Sequence, residues 1–434
     1  MKISELVGIL QMLNKYKLFL ILLFFPISLF SQGDTLDLAE CINIAIKNNP
    51  QIGIYEGNYE GSRANVTLAR SVFFPQISVT SSGVRNGGTF FMGPTSREGN
   101  YNNFALGFQG QLLLFDFGKS IFKLSSSSYQ SEASEYDLKN TKQTIELNTV
   151  IAYYNYLQSK KINEVNKEIC NQAEEHLKQS KSFFEVGKKP QFDVLKAETD
   201  LANAKLNYIR SNNNVKLSRI QLANVLGIEL KDNIEFKDDL SYTKDTIVVL
   251  RDAIEIALNN RPDLLAQKFR KEAMSLLVKS NWLSNLPSIS VSGGYNFRGY
   301  ELDKNFKNSW SLGLSLSLPL FQGWAIDATV ESAKASLKSS EHQYDNLKQQ
   351  VILDVEQQFL NYEEAKERID VSEKLVKQAE ETFKLAKGRY NSEVGSAIEI
   401  TDAQITLLNA QISYIQALYD VKIALAKLKK AIGY

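Results

Sequence analysis

Few groups in this 434-residue chain have the type and spacing to do covalent chemistry. Gly118-Lys119-Ser120 imitates the end of a phosphate-binding loop, but Leu113 stands where that loop needs its earlier glycine. His176 and His342 each sit alone in a long helical pattern, without metal-ligand spacing. Cys41 and Cys170, the only cysteines, are too few for a thiolate metal site or a disulfide scaffold and read as packing residues. Scattered Ser and Asp residues form no nucleophile arrangement, and the sequon Asn65-Val66-Thr67 falls inside a helical pattern. No catalytic, cofactor-binding or metal-binding residue is expected. What remains is placed charge: Glu399 and Asp402 open a helix, where acids complement the macrodipole.

The elements that carry these residues are long. Trp310, Leu312, Leu314, Leu316 and Leu318 alternate with Ser311, Gly313, Ser315 and Ser317, the pattern of a strand with one apolar and one polar face. Past Pro319 and Phe321-Gln322-Gly323 the period changes to threes and fours, through Ile326, Val330, Ala333 and Leu337 down to Phe383 and Tyr390. A helix of about 65 residues would run about 100 Å, more than a globular domain buries.

Lysine and arginine total 50 against 49 acids, a net charge of +1, which gives no support for a nucleic-acid partner. At the N-terminus, Lys15 and Lys17 precede the apolar run Leu18 to Phe30, with Ser31 at a cleavage position. That run is too short to span a membrane, so 1–31 reads as an export signal; a start at Met12 would give a more usual one.

The remainder is written twice. Ala39 to Pro50 resembles Asp252 to Pro262, and Pro75-Gln-Ile-Ser-Val79 matches Pro287-Ser-Ile-Ser-Val291. Phe115 pairs with Phe321, Gly187 with Gly395 and Gly227 with Gly433. The copies occupy 32–227 and 249–434, joined by a connector, 228–248, of irregular or short-strand structure. Each predicts a short helix (from about 36 in the first copy) stopped before a proline, a second helix, two strands, a long helix and a returning helix. The first copy's second strand alternates through Phe104, Leu106, Phe108, Leu112 and Leu114, and the second copy's strands are expected near 288–298 and 309–320.

Four strands cannot close a transmembrane barrel, and open strand edges are not tolerated in lipid. Closure therefore demands self-association: three chains give twelve strands, two give eight with little lumen. The rods, with stripes rich in Ala and Ser, need lateral neighbours too. The expected class is mainly α with membrane β. The alternative is an exported coiled-coil scaffold or adaptor without a channel, for which the strand alternation would have no use.

The doubled plan, the breaks Asn48-Asn49-Pro50 and Asn260-Arg261-Pro262, the post-strand Phe115-Asp116-Phe117-Gly118 and Phe321-Gln322-Gly323, and Arg389-Tyr390 with Val394-Gly395 resemble the TolC-like outer-membrane efflux proteins. The resemblance implies a homotrimer in outer-membrane lipid, with a twelve-stranded β-barrel continuous with a periplasmic α-helical barrel. It implies a passive exit duct that docks on a periplasmic adaptor and an inner-membrane pump, and no enzyme. Val186-Gly187-Lys188 and Val394-Gly395-Ser396 look like the adaptor-docking tips. Glu399 and Asp402 resemble the paired acids of the periplasmic gate, with Arg389 and Tyr390 as partners. The turn from Gly395 to Ile398 is two residues shorter than Gly187 to Phe192, Ala397 sits where a basic gate partner would be sought, and Asp193 aligns with Glu399. The loops 85–103 and 296–308, carrying Phe90, Phe91, Tyr101, Tyr300 and Phe306, should face outside the cell.

Overall fold

The computed structural model describes residues 35–92, 95–229, 234–238, 249–299 and 306–434, apart from the side chains of 89–92, 95–98 and 101. The expected signal peptide, residues 230–233 and 239–248 of the connector, Tyr300 and the side chains of Phe90, Phe91 and Tyr101 lie outside the described residues.

The first copy builds α1 (Leu38–Asn48), α2 (Pro50–Arg70), β2 (Gln76–Met92), β3 (Thr95–Phe115), α3 (Lys119–Glu185) and α4 (Gln191–Leu226). The second builds α5 (Leu250–Asn260), α6 (Pro262–Trp282), β5 (Ser288–Gly299), β6 (Lys307–Ser317), α7 (Ala325–Asn391) and α8 (Ala397–Ile432). Corresponding helices have equal lengths, the rods α3 and α7 at 67 residues and the returning helices α4 and α8 at 36. The first helix starts later than expected. Asp37 caps it in a reciprocal box with Glu40, which frees β1 (Thr35–Leu36) to pair in parallel with β4 (Glu235–Phe236) of the connector. Strand β6 begins and ends earlier than expected, at Lys307 and Ser317, two residues before Pro319.

One joint closes each copy. Asn49 accepts from Gln51 N–H at 3.0 Å and donates through Nδ2 to the Val225 carbonyl at 3.0 Å. In the second copy Arg261 donates to the Ala431 carbonyl at 3.4 Å, to Asp354 at 2.7 Å and to Asp263 at 3.0 Å. The returning helices end on left-handed Gly227 and Gly433, where a Cβ would fall 2.8 Å from the Asn48 carbonyl oxygen or 3.1 Å from Arg261 N. These contacts explain why the breaks before Pro50 and Pro262 recur with terminal glycines.

The antiparallel sheet runs β2-β3-β5-β6, so consecutive hairpins from the two copies join edge to edge. Its register sorts side chains by polarity. Val79, Phe108, Tyr295 and Trp310 form one row, and Leu112, Val291 and Leu314 another on the same face. The opposite face carries Ser78, Gln109, Gly294 and Ser311, then Thr80, Gly107, Asn296 and Ser309. The apolar face is bare: Trp310 is 76% exposed and Leu312 73%. Leu114 departs from the expected alternation. It lies at a bulge between Leu113 and Phe115, which puts Phe115 opposite Ile289 on the apolar face.

Where the strands meet the rods, two consecutive residues turn left-handed, Phe117 and Gly118 in one copy and Gly323 and Trp324 in the other. Mid-rod, Tyr153, Tyr156, Leu222, Leu226 and Tyr419 enclose Cys41 and Phe236. The Tyr153 hydroxyl donates to the Lys237 carbonyl, and that of Tyr419 to Asp238 at 3.1 Å, so both copies clamp the connector strand. Both cysteines are free thiols, Cys41 in this core and Cys170 further along α3. Small residues mark where the rods are buried, among them Ala173, Ala365, Ala379 and Ala386. Ile209, Ile220, Leu360, Val371 and Leu385 remain exposed in the single chain.

Candidate functional site

Both hairpins turn through five residues, 186–190 after α3 and 392–396 after α7. This corrects the expectation of a shorter second turn. The left-handed residue is Gly187 in the first (φ 71°) and Glu393 in the second (φ 65°), so Gly187 corresponds to Glu393 and not to Gly395. The shared Val-Gly dipeptide misled the comparison, because the backbone follows the equal rods.

Gly395 meets a different need. The N–H groups of Val394 and Gly395 both donate to the Arg389 carbonyl, at 3.0 and 2.9 Å. This folds the chain back so tightly that a Cβ on Gly395 would lie 3.0 Å from Tyr390 N and 3.1 Å from the Arg389 carbonyl carbon. Gly187 has open space around it and serves the turn through φ alone. Val186 and Val394 are exposed at the two tips.

The two tips touch. Lys188 Nζ meets Glu393 Oε1 at 2.7 Å, which also secures the non-glycine residue held at positive φ. Lys189 donates to the Gly395 carbonyl at 3.1 Å and stands 4.9 Å from the centre of the Tyr390 ring. Above them, Gln179 donates to Asn391 at 2.9 Å, and Thr401 donates to Asp200 at 2.8 Å.

The candidate gate residues separate into two kinds. Tyr390 is fully buried, its hydroxyl 3.2 Å from Ser180 Oγ and its ring 5.0 Å from that of His176. Burial pushes its phenol up and pushes the His176 imidazole below its ordinary value. Tyr390 therefore fastens α7 to α3, and His176, read as isolated, belongs to that joint. Arg389 reaches the other way, with Nε 2.8 Å from Glu399 Oε1 and both side chains substantially exposed. Ser396 accepts from Glu399 N–H at 3.2 Å, setting the first turn of α8. Asp402 is exposed one turn further along, and its carboxylate has no partner among the described residues. Ala397 is buried, and the cation that meets Glu399 comes from the end of α7.

The first hairpin builds no such pair. Asp193 matches Glu399 in place but is buried, and Phe183 occupies the position of Arg389. Lys196 pairs within its own helix with Asp200 at 2.5 Å. Sequence reasoning missed the roles of Glu393, Lys189, Ser180 and His176; counting in both directions from the ends of the two equal rods places Glu393 opposite Gly187 and His176 opposite Thr382. Among the described residues, no three of His, Cys, Asp and Glu gather as a metal site. The arrangement can hold or release helix ends through exposed ion pairs, and it can offer a bare carboxylate.

Known proteins match this layout. A family model described as outer membrane efflux protein matches residues 41–228 and again 253–434. A probable efflux pump outer membrane protein, TtgC of Pseudomonas putida, is 22% identical over 402 residues, covering 91% of this chain and 82% of its own. The outer membrane protein TolC of Escherichia coli is 23% identical over 402 residues, covering 89% and 80%. The crystal structure of the CmeC outer membrane channel of Campylobacter jejuni superimposes with a TM-score of 0.83 at 21% identity, covering 91% of this chain and 85% of that one.

Proposed function

Because this chain belongs to the outer membrane efflux protein family, we propose that it works as a homotrimer whose three sheets close one barrel and whose rods form one tunnel. It is an outer-membrane exit duct of a tripartite efflux system, a conduit and not an enzyme. Substrates pass through it passively, and the energy comes from partners.

The observation that carries the trimer is the sheet. It is apolar on one face, polar on the other, and open at both β2 and β6. An open edge cannot stand in lipid, and joining β6 of one protomer to β2 of the next removes every edge. Ile209, Ile220, Leu360, Val371 and Leu385 then gain neighbours on adjacent rods. A coiled-coil scaffold without a channel is disfavoured by the same rows, which would leave Trp310 and Leu312 in water.

At the far end, Val186, Gly187 and Lys188 with Val394, Gly395 and Ser396 offer the docking surface for an adaptor on the inner-membrane pump. Arg389 and Glu399 act as a latch across the second turn, Tyr390 as its anchor, and Asp402 as one of three carboxylates around the aperture. An exposed ion pair contributes about 0.2–1 kcal/mol. Three acting on one aperture total about 0.6–3 kcal/mol, roughly 3- to 150-fold in open population. Glu399→Ala with Asp402→Ala should therefore raise conductance in planar bilayers by that factor and reduce cation preference. Unchanged conductance and preference would remove the gate assignment, while a wholly soluble mature protein on membrane fractionation would remove the duct.

A further inference from the structure

The polar face of the sheet carries no ionisable side chain from the level of Ser288 up to Asn296, on any of the four strands. One row further, two cations stand directly opposite each other. Arg298 of β5 pairs in register with Lys307 of β6, in the row that continues through Ala105 to Ser82. Both side chains are exposed, and no acid bonds either among the described residues. Like charges directly opposite destabilise a strand pair. A rim that served only the fold would place an acid or a hydroxyl there, as Ser290 and Ser315 do lower on the same two strands, 2.7 Å apart.

We propose that Arg298 and Lys307 form a basic ring at the outer mouth of the lumen and make the exit selective for anionic solutes bearing carboxylate, sulfonate or phosphate groups. The inference rests on the trimeric barrel proposed above. Ten residues of strand separate Ser288 from Arg298, a climb of about 25 Å once the strand tilt is included. That sets the pair at the rim away from the rods. Two cations from each of three protomers make six around one opening, above strand rows whose polar face is uncharged among the described residues. Rings of Arg or Lys favour anions in pores. The side of the sheet argues against lipid headgroups as the target. The cation facing outward is Arg85, two rows beyond Ser81 on the face of Ile77 and Val79, whereas Arg298 and Lys307 share the face of Asn296 and Ser309.

The full-length trimer in planar bilayers provides the test. In a potassium chloride gradient, Arg298→Gln with Lys307→Gln should lower the chloride-to-potassium permeability ratio about threefold or more relative to the unaltered channel. Inorganic tripolyphosphate added on the outer side should block the unaltered channel, less strongly at high salt, and the double variant should need about tenfold more. The block on the unaltered protein needs no variant to fold. A tripolyphosphate-insensitive outer mouth, or an unchanged permeability ratio in a conducting double variant, would overturn the ring. A protein that never conducts would sink the duct itself.

Discussion

Phe183 and Asp193 of the first hairpin stand where the second has Arg389 and Glu399, on rods of the same 67 residues and through turns of the same length. The first hairpin is built without that ion pair, so the pair is not a requirement of the fold. The comparison separates two layers. Small buried residues and turn geometry recur in both copies and build the hairpin. Charged and polar residues found in one copy only are free to operate it. The joints behind Pro50 and Pro262 follow the same rule, with a neutral amide at Asn49 and a guanidinium network at Arg261.

The joints give the largest expected effect. Arg261 is mostly buried and touches Asp263, Asp354 and the end of α8. Arg261→Ala should destabilise the second joint by about 3 kcal/mol, the low end for a broken buried pair because Asp354 keeps access to water. Asn49→Ala removes a cap and one bond to α4 and should cost about 1–2 kcal/mol. Native-state hydrogen exchange in α2 and α6 reads each joint separately. Equal losses would mean that the charge adds nothing to the second.

The tips come next. Gly395→Ala forces a methyl against the Arg389 and Tyr390 backbone, and overpacking of that kind costs about 1–3 kcal/mol. Gly187→Ala meets no atom but must hold φ at 71°, a strain of about 1–2 kcal/mol. Glu393→Gly relieves the same strain in the second turn while losing the Lys188 pair, so it should change stability by less than about 1 kcal/mol. Unfolding midpoints in denaturant compare the three. If Glu393→Gly proved as damaging as Gly395→Ala, the assignment of Glu393 to the place of Gly187 would be wrong.

Much of this was legible in the sequence because it is periodic. Prolines, terminal glycines and alternating Leu and Ser fixed the element order, and most helix ends fell within two residues of expectation. The bulge at Leu114 was not legible, since Leu113, Leu114 and Phe115 are all apolar and no polar residue marks the slip. The tips were only partly legible. Val-Gly occurs in both turns, but one glycine answers a dihedral and the other a close approach, and a letter does not say which. Arg389 and Glu399 can be named from sequence, whereas their pairing depends on a five-residue turn that matching the two Val-Gly pairs makes too short.

The smallest effect distinguishes the copies by pH. His176 packs its ring against Tyr390, and its counterpart on the second rod is Thr382. Burial lowers the imidazole below its ordinary value of 6.5, an effect that Asp193 and Asp200 oppose and Lys196 and Lys387 reinforce. Well above pH 6.5 the ring is neutral whether the hairpin is folded or open. As pH falls through 6.5 the open state takes up the proton first, so the first hairpin loses stability until the pH drops below the folded value. Protection factors at the end of α3, corrected for the intrinsic pH dependence of amide exchange, should therefore fall on the acid side of 6.5, while His176→Thr should remove this histidine-dependent step. The ends of α7 and α8 lack a histidine of their own and should respond only through Tyr390. An acid response of α3 that survives His176→Thr would overturn the assignment, and the histidine would then be packing alone.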